Sequence, residues 1–289
     1  MPTLYVVATP IGNLEDVTLR ALRVLREVSL IAAEDTRTTR KLLAAHGIRQ
    51  RLVSYNDHNK AVRIPRLLHA LREGDVALVS EGGTPVISDP GLDLVAAAVD
   101  AGFAITPVPG PSAVTAALAV SGLASRQFTY LGFLPRRAGE RRRLFAALRD
   151  DPRTLVAFES PHRLRASLTA LCDALGDRRV AVCRELTKAF EEVYRGTLGE
   201  ALAHFAEPRG EFTLVIEGAP ASAHAVAEGD SPRREPVEAS LDAARAELSR
   251  RRAAGEPAKT VVAEVAARYG LPHREAYRLW LETEGNPAP

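Results

Sequence analysis

Hydrophobic positions along this chain alternate between two periods. Short apolar, partly β-branched runs at residues 4–8, 30–33, 52–54, 76–80 and 104–108 predict strands, and between them apolar residues recur at helical spacing over 19–28, 38–46, 61–73 and 92–101. Strands separated by helices of this length predict a mostly parallel sheet. A helix begins near Ser112, and the alternation then resumes with strands at 129–133, 155–159, 179–183 and 211–217 and helices at 136–149, 163–175 and 198–205. The expected fold class is α/β, in two α/β domains over residues 1–110 and 111–219. Ala, Ser, Pro and Gly then predict a linker over 220–236. Helical patterns at 237–252, 260–269 and 274–282 predict a small C-terminal helical domain over 237–289, its last pair resembling a helix-turn-helix.

Composition narrows the function classes. The 289 residues are 46% apolar and 26% charged, which suits two folded domains with an appendage. A net charge of only +2 excludes a partner held by bulk charge, so any nucleic-acid surface is a local patch. Cys172 and Cys183 form no CxxC pair and the histidines no HExxH, so no metal site is expected and the compartment reads as reducing and cytoplasmic. The start lacks a basic region ahead of its apolar stretch, which argues against a secretory signal. The uncharged run 101–125 is long enough to span a bilayer, but Pro107, Pro109, Gly110 and Pro111 interrupt it, so no membrane helix is expected.

Three loops follow strand ends: Thr9-Pro10-Ile11-Gly12-Asn13, Ser80-Glu81-Gly82-Gly83-Thr84-Pro85 and Pro109-Gly110-Pro111-Ser112-Ala113. Ligands of α/β sheets bind outside the carboxyl ends of strands, so the three are expected to share one crevice. No GxxxxGK[ST], GxGxxG or GxSxG motif is present, which sets aside a Walker phosphate cradle, a dinucleotide fingerprint and a serine-hydrolase elbow.

These loops, with Ser88-Asp89-Pro90-Gly91, resemble those of the tetrapyrrole-methylase superfamily. Glu34-Asp35-Thr36-Arg37, His58-Asn59, Phe158-Glu159-Ser160-Pro161-His162-Arg163 and Glu185-Leu186-Thr187-Lys188 resemble its rRNA branch, the ribosomal RNA small subunit methyltransferase I family. The resemblance covers roughly residues 4–218. It implies two domains of tetrapyrrole-methylase type with the cofactor cleft between them, and methyl transfer from S-adenosylmethionine to the ribose 2′-oxygen of a decoding-centre cytidine in small-subunit (16S) rRNA. It also implies the small ribosomal subunit as partner and a homodimer. By motif position, cofactor contacts fall at Pro10, Ile11, Glu81, Gly83, Thr84, Ile87, Ser112 and Ala113, with Phe158, Glu185, Phe212 and Thr213 from the second domain. Glu81-Gly82 stands where the family usually has Asp-Ala, giving a longer carboxylate and a looser loop.

Methyl transfer from a sulfonium needs no metal or enzyme nucleophile, only alignment and a destination for the hydroxyl proton. Candidate bases are Asp35, Glu34, His58, Glu185 and Lys188; Asp35 reads equally as a helix cap and His58 as a polar turn. Candidate RNA contacts are Arg37, Arg136, Arg137, Arg141, Arg142, Arg163, Lys259 and Arg274. Ser160 reads as the cap of the following helix. Two rival readings are a tetrapyrrole C-methyltransferase, which would want an apolar trough in place of the basic loop at 136–143, and a non-catalytic nucleic-acid-binding protein, which leaves the three loops unexplained.

Overall fold

A computed structural model of the chain describes residues 2–220, 237–269, 271 and 273–282. All of the expected linker except residue 220 lies outside the described residues, as do Gly270 and Pro272 of the expected turn. Residues 1–220 form one compact unit and residues 221–289 another.

The first sheet is built from β1 (Thr3–Val7), β2 (Leu30–Ala33), β3 (Leu52–Ser54), β4 (Val76–Val79) and β5 (Ala104–Val108), in the order β3-β2-β4-β1-β5. Every pairing is parallel. Crossovers run through α1 (Leu19–Glu27), α2 (Thr36–Ala45), α3 (Lys60–Glu73) and α4 (Leu92–Asp100). The central strand β4, Val-Ala-Leu-Val, is buried at all four positions, as a strand covered by helices on both faces must be. Thr18 caps α1 by accepting from Ala21 N at 3.1 Å, and Asp35 caps α2 by accepting from Arg37 N at 2.7 Å.

The second sheet comprises β6 (Phe128–Phe133), β7 (Thr154–Glu159), β8 (Arg179–Arg184), β9 (Glu192–Thr197) and β10 (Phe212–Ile216), ordered β6-β7-β10-β8-β9. Only β6 and β7 are parallel; the other pairings are antiparallel. Its helices are α5 (Ala113–Ser121), α6 (Ala138–Ala147), α7 (Pro161–Leu175) and α8 (Leu198–His204). The periodicity above does not predict β9. That edge strand, Glu-Val-Tyr-Arg-Gly-Thr, is nowhere fully buried and so carries no apolar run.

Side chains alternate strictly across this sheet. Leu155, Ala157, Val180, Val182, Phe212, Leu214 and Ile216 face α6, α7 and α8, where Phe145 and Leu164 are fully buried. Val156, Ala181, Cys183 and Val215 face α5, with Phe158 and Tyr130 packed against them.

The C-terminal unit consists of α9 (Val237–Ala253), α10 (Ala258–Tyr269) and α11 (His273–Glu282) around Leu248, Val261, Val265, Leu279 and Trp280. Arg252 stacks over the Trp280 ring at 4.9 Å. Glu247 accepts from Arg268 Nη1 and Tyr269 Oη, each at 2.8 Å. No helix among the described residues is long and apolar enough to cross a membrane.

Phe145 is the largest side chain sealed between α6 and the second sheet, so Phe145→Ala should cost about 3–5 kcal/mol through lost burial and the cavity left behind. Urea unfolding should show a lower midpoint with an unchanged slope; a shift below about 1 kcal/mol would mean the site collapses around the gap.

Candidate active site

Three loops leave the carboxyl ends of β4, β1 and β5, which are neighbours in the sheet. Thr9 N donates to Gly83 O and Gly83 N donates to Thr9 O, both at 2.9 Å, an antiparallel bridge just beyond parallel strands. Thr84 Oγ1 donates to Pro111 O at 3.5 Å, and a Cβ on Gly110 would stand 3.1 Å from that of Ala8. Pro10, Ile11, Gly83, Thr84 and Ser112 therefore share one rim. Ser112 is the N-cap residue of α5, yet its hydroxyl makes no cap bond and stays open to a ligand.

The rim meets the second sheet at two places. Ser88 Oγ lies 2.7 Å from Tyr130 Oη, with Gly132 directly beneath. The segment is strained: Val86 and Ser88 take φ of 78° and 64°, and Gly91 takes 147°, where a Cβ would stand 2.9 Å from Leu78 Cδ2. On the other side Gly12 lies under the loop 185–188, where a Cβ would collide with Lys188 Cγ and fall 2.9 Å from Leu186 O. Glu185 and Thr187 in that loop also have positive φ, 50° and 67°.

On the second sheet Phe158 makes edge contacts with Tyr130 at 5.4 Å and Phe133 at 5.5 Å, and Thr213 is its register partner on β10. Thr213 shares the α5 face with Phe158. Phe212 does not: its ring is buried on the opposite face, 5.4 Å from Phe205, which leaves only its backbone for a ligand on the Phe158 side. Ile87 and Phe133 are exposed apolar side chains of the two sheets' loops and strand ends.

The acidic candidates gather elsewhere on the same rim. Glu34, Asp35, Arg37, His58, Glu81 and Pro90 line a cavity of about 500 Å³. Hydrogen bonds from the Arg37 side chain and backbone hold Asp35 down at about 2, so it is a committed cap and ion-pair partner and a poor proton acceptor. Glu34 is pushed up by burial and by repulsion from Glu81, Asp57 and Asp35, while its Oε2 accepts from Glu81 N at 3.1 Å. His58 is exposed in a turn where its N donates to Asn56 Oδ1 at 3.1 Å. Burial acts to lower Lys188, but its ion pairs with Glu211 at 2.9 Å and Glu185 at 3.0 Å outweigh it and hold the ammonium protonated, which removes it as a base. For Glu185, burial acts upward, and the bonds from Glu211 N and Lys188 overcome it and lower the carboxyl.

The basic candidates divide as well. Arg37, Arg136, Arg137 and Arg142 are exposed on the first unit, and Lys259 and Arg274 are exposed on the second. Arg141 is 8% exposed and donates to Pro135 O, so its position on the inner side of α6 keeps it from the open face. Arg163 is tied to the buried Glu159 at 2.6 Å and to Leu134 O at 2.8 Å, and its Nε donates to Ser160 Oγ at 3.2 Å. Those bonds fix the β7–α7 turn and leave little of Arg163 for a phosphate. Ser160 is the N-cap residue of α7 but makes no side-chain cap bond.

One residue of this neighbourhood escaped the sequence reading. Burial lifts the Asp89 carboxyl from its usual 3.8 to about 7, with Glu34 and Glu81 adding repulsion and the Ser80 hydroxyl opposing it. The only sequence signal was its place in Ser-Asp-Pro-Gly; desolvation is a property of the folded loop.

A two-sheet α/β body with three loops bridged beyond the strand ends defines a tetrapyrrole-methylase-type protein. The family described as Tetrapyrrole (Corrin/Porphyrin) Methylases matches residues 3–202. Solved structures agree in fold: a uroporphyrin-III-C-methyltransferase from Thermus thermophilus superposes with a TM-score of 0.53 at 24% identity, covering 74% of this chain and 94% of that one. Full-length relatives carry the assignment further. The chain is 45% identical to "Ribosomal RNA small subunit methyltransferase I" of Synechocystis over 99% of this chain and 100% of that protein. It is 44% identical to that of Halalkalibacterium halodurans over 96% and 94%, and 42% identical to that of Escherichia coli O157:H7 over 98% and 96%. The chain belongs to the ribosomal RNA small subunit methyltransferase I family.

Asp89 ties stability to pH with a definite sign. Its folded value lies above the ordinary 3.8, so the neutral form is the one folding favours; the contribution of this group is full below about pH 4, falls as pH rises and is gone above about 7. Asp89→Asn should therefore melt higher than the parent chain by a margin that grows between about pH 4 and pH 7 and stays level above that. A margin independent of pH would show that Asp89 titrates normally.

Proposed function

We propose that this chain transfers the methyl of S-adenosylmethionine to the ribose 2′-oxygen of a cytidine in small-subunit rRNA. The observation that carries the reading is the identity to rRNA methyltransferases of the same family along essentially the whole length of both proteins. The rRNA-branch motifs at 34–37, 158–163 and 185–188 support the cytidine ribose as target. In this reading the protein works in the cytoplasm, as a homodimer, on the small ribosomal subunit.

The residues present fit the cofactor. Buried Thr9 Oγ1 has no hydrogen-bond partner, and the Ser112 hydroxyl makes no cap bond, so the rim holds spare polar groups for an amino acid and a ribose. Pro10, Ile11, Gly83, Thr84, Ile87, Ser112 and Ala113 would hold it from the first sheet's side, with Phe158, Thr213, the Phe212 backbone and Glu185 from the second. Glu81 is exposed at the edge of the acidic cavity, where its backbone N–H is already bonded to Glu34. When bound, the sulfonium supplies an activated methyl open to in-line displacement. The chain contributes position: the bridge ties two of the loops together at the backbone, the Ser88–Tyr130 and Gly12–Lys188 contacts fix the second sheet against them, and Tyr130, Phe133 and Phe158 supply an apolar wall.

Arg37, Arg136, Arg137, Arg142, Lys259 and Arg274 offer exposed cations to rRNA phosphates. Arg137→Ala with Arg142→Ala should lower the slope of log K against log salt by roughly 1–2, since each lost phosphate contact removes about 0.7–0.9 of slope. An unchanged slope would move the RNA surface away from α6. The function itself is tested with methyl-labelled S-adenosylmethionine and small subunits lacking their modifications, digested and mapped by mass spectrometry. Label on a cytidine ribose is expected. No label on subunits or free rRNA, with cofactor binding intact, would refute the rRNA substrate and favour a tetrapyrrole.

A further inference from the structure

Transfer to a ribose oxygen requires that the hydroxyl proton go somewhere, and the candidates drawn from motifs are already engaged. Asp35 is bound by Arg37, Glu185 by Lys188, and Lys188 by two carboxylates; Glu34 accepts from the Glu81 backbone, and His58 lies exposed in its own turn. Asp89 differs. Among the described residues no cation pairs with it.

Its position is built by strain and by both sheets. The peptide turns through positive φ at Val86 and Ser88 immediately before it, and Gly91 just after it packs where no side chain fits. Ser88 clasps Tyr130 of β6 at 2.7 Å, so Asp89 is anchored where the first sheet's rim meets the second sheet. It lies five residues beyond Thr84 of the loop that faces Thr9 and Pro111. The groups around it are Glu34 at the end of β2, Glu81 and Ser80 after β4, and Tyr130. The Ser80 hydroxyl is buried beside the carboxyl and favours its charged form.

We propose that Asp89 is the proton acceptor of the methyl transfer, receiving the 2′-hydroxyl proton at the junction of the two sheets. The inference rests on the ribose-methylation reading and names the base that reading lacks. As the O–C bond forms and the methyl's S–C bond breaks, the hydroxyl proton passes to a carboxylate oxygen of Asp89, which then returns it to water. Burial holds this carboxyl at about 7, where about half of it is ionised at neutrality and the ionised half is a stronger base than an ordinary carboxylate. Strained, non-glycine backbone at this loop is the kind of local cost that a reacting group's placement sustains.

The test is single-turnover methylation of small subunits across pH by the full chain, Asp89→Asn and Asp89→Glu, with cofactor affinity measured alongside. The parent rate should rise with pH through an apparent pKa near 7. Asp89→Asn should keep cofactor affinity, lose roughly 10²–10⁴-fold in rate and lose that pH dependence, and Asp89→Glu should restore part of both. The pH-dependent melting difference reports the Asp89 titration without any turnover. If Asp89→Asn keeps both the parent rate and its pH profile, or if no titration near 7 appears in the melting series, the assignment is overturned while the rRNA reading stands. A parent chain that binds cofactor yet methylates no rRNA overturns the reading itself, and the assignment with it.

Discussion

The reciprocal backbone bonds between Thr9 and Gly83 are the constraint on which the rest of the site depends. Parallel strands normally diverge into separate loops once their ladders end, since each loop must run back to the next helix. Here one antiparallel bridge extends contact between β1 and β4 beyond the sheet, and Thr84 reaches across to Pro111 after β5. The bridge is made of main-chain groups, and it brings the first two loops so close that a Cβ on Gly82 would stand 3.1 Å from Pro10 O.

Charge in the same region is arranged by subtraction. Most acids near the rim have a partner: Asp35 has Arg37, Glu185 and Glu211 share Lys188, and Glu159 is buried with Arg163 and Ser167. Each pairing fixes geometry, and for Asp35 and Glu185 it also favours the charged carboxylate. Asp89 is left half-buried among Glu34 and Glu81, where its own ionisation is resisted. A loop held by Ser88–Tyr130 and packed at Gly91 can sustain that cost, because moving Asp89 into water would break the contact with the second sheet.

Much of the fold was legible because strands lying under crossover helices read as short apolar runs, and β2, β3 and β5 fall on the residues the pattern predicts. The three loops were legible for the same reason, since Gly and Pro punctuate the ends of those runs. β9 was not, because Glu-Val-Tyr-Arg-Gly-Thr is nowhere fully buried and carries no apolar run. Phe212 and Thr213 read alike as neighbours in a motif, but the period of two sends them to opposite faces. Arg141 and Arg163 read as free cations because a one-dimensional sequence does not show which side of a helix is covered. Asp89 was invisible as a titrating group, since its environment comes from β2, β4 and β6 at once.

The two signs of charge then sort what can approach. Arg136, Arg137 and Arg142 are exposed and offer attraction to any polyanion, while Glu34, Asp35, Asp57 and Glu81 outnumber Arg37 in the lining of the cavity at the strand ends. A phosphate drawn to the surface meets repulsion at the cavity, whereas a hydroxyl or an exocyclic amine meets acceptors. Aromatic residues are only 5% of the chain, so little stacking is available to hold extended single strands outside the site. Selection by such a surface works through where phosphates stop and donors enter, which favours a nucleotide presented by a folded RNA whose backbone stays outside.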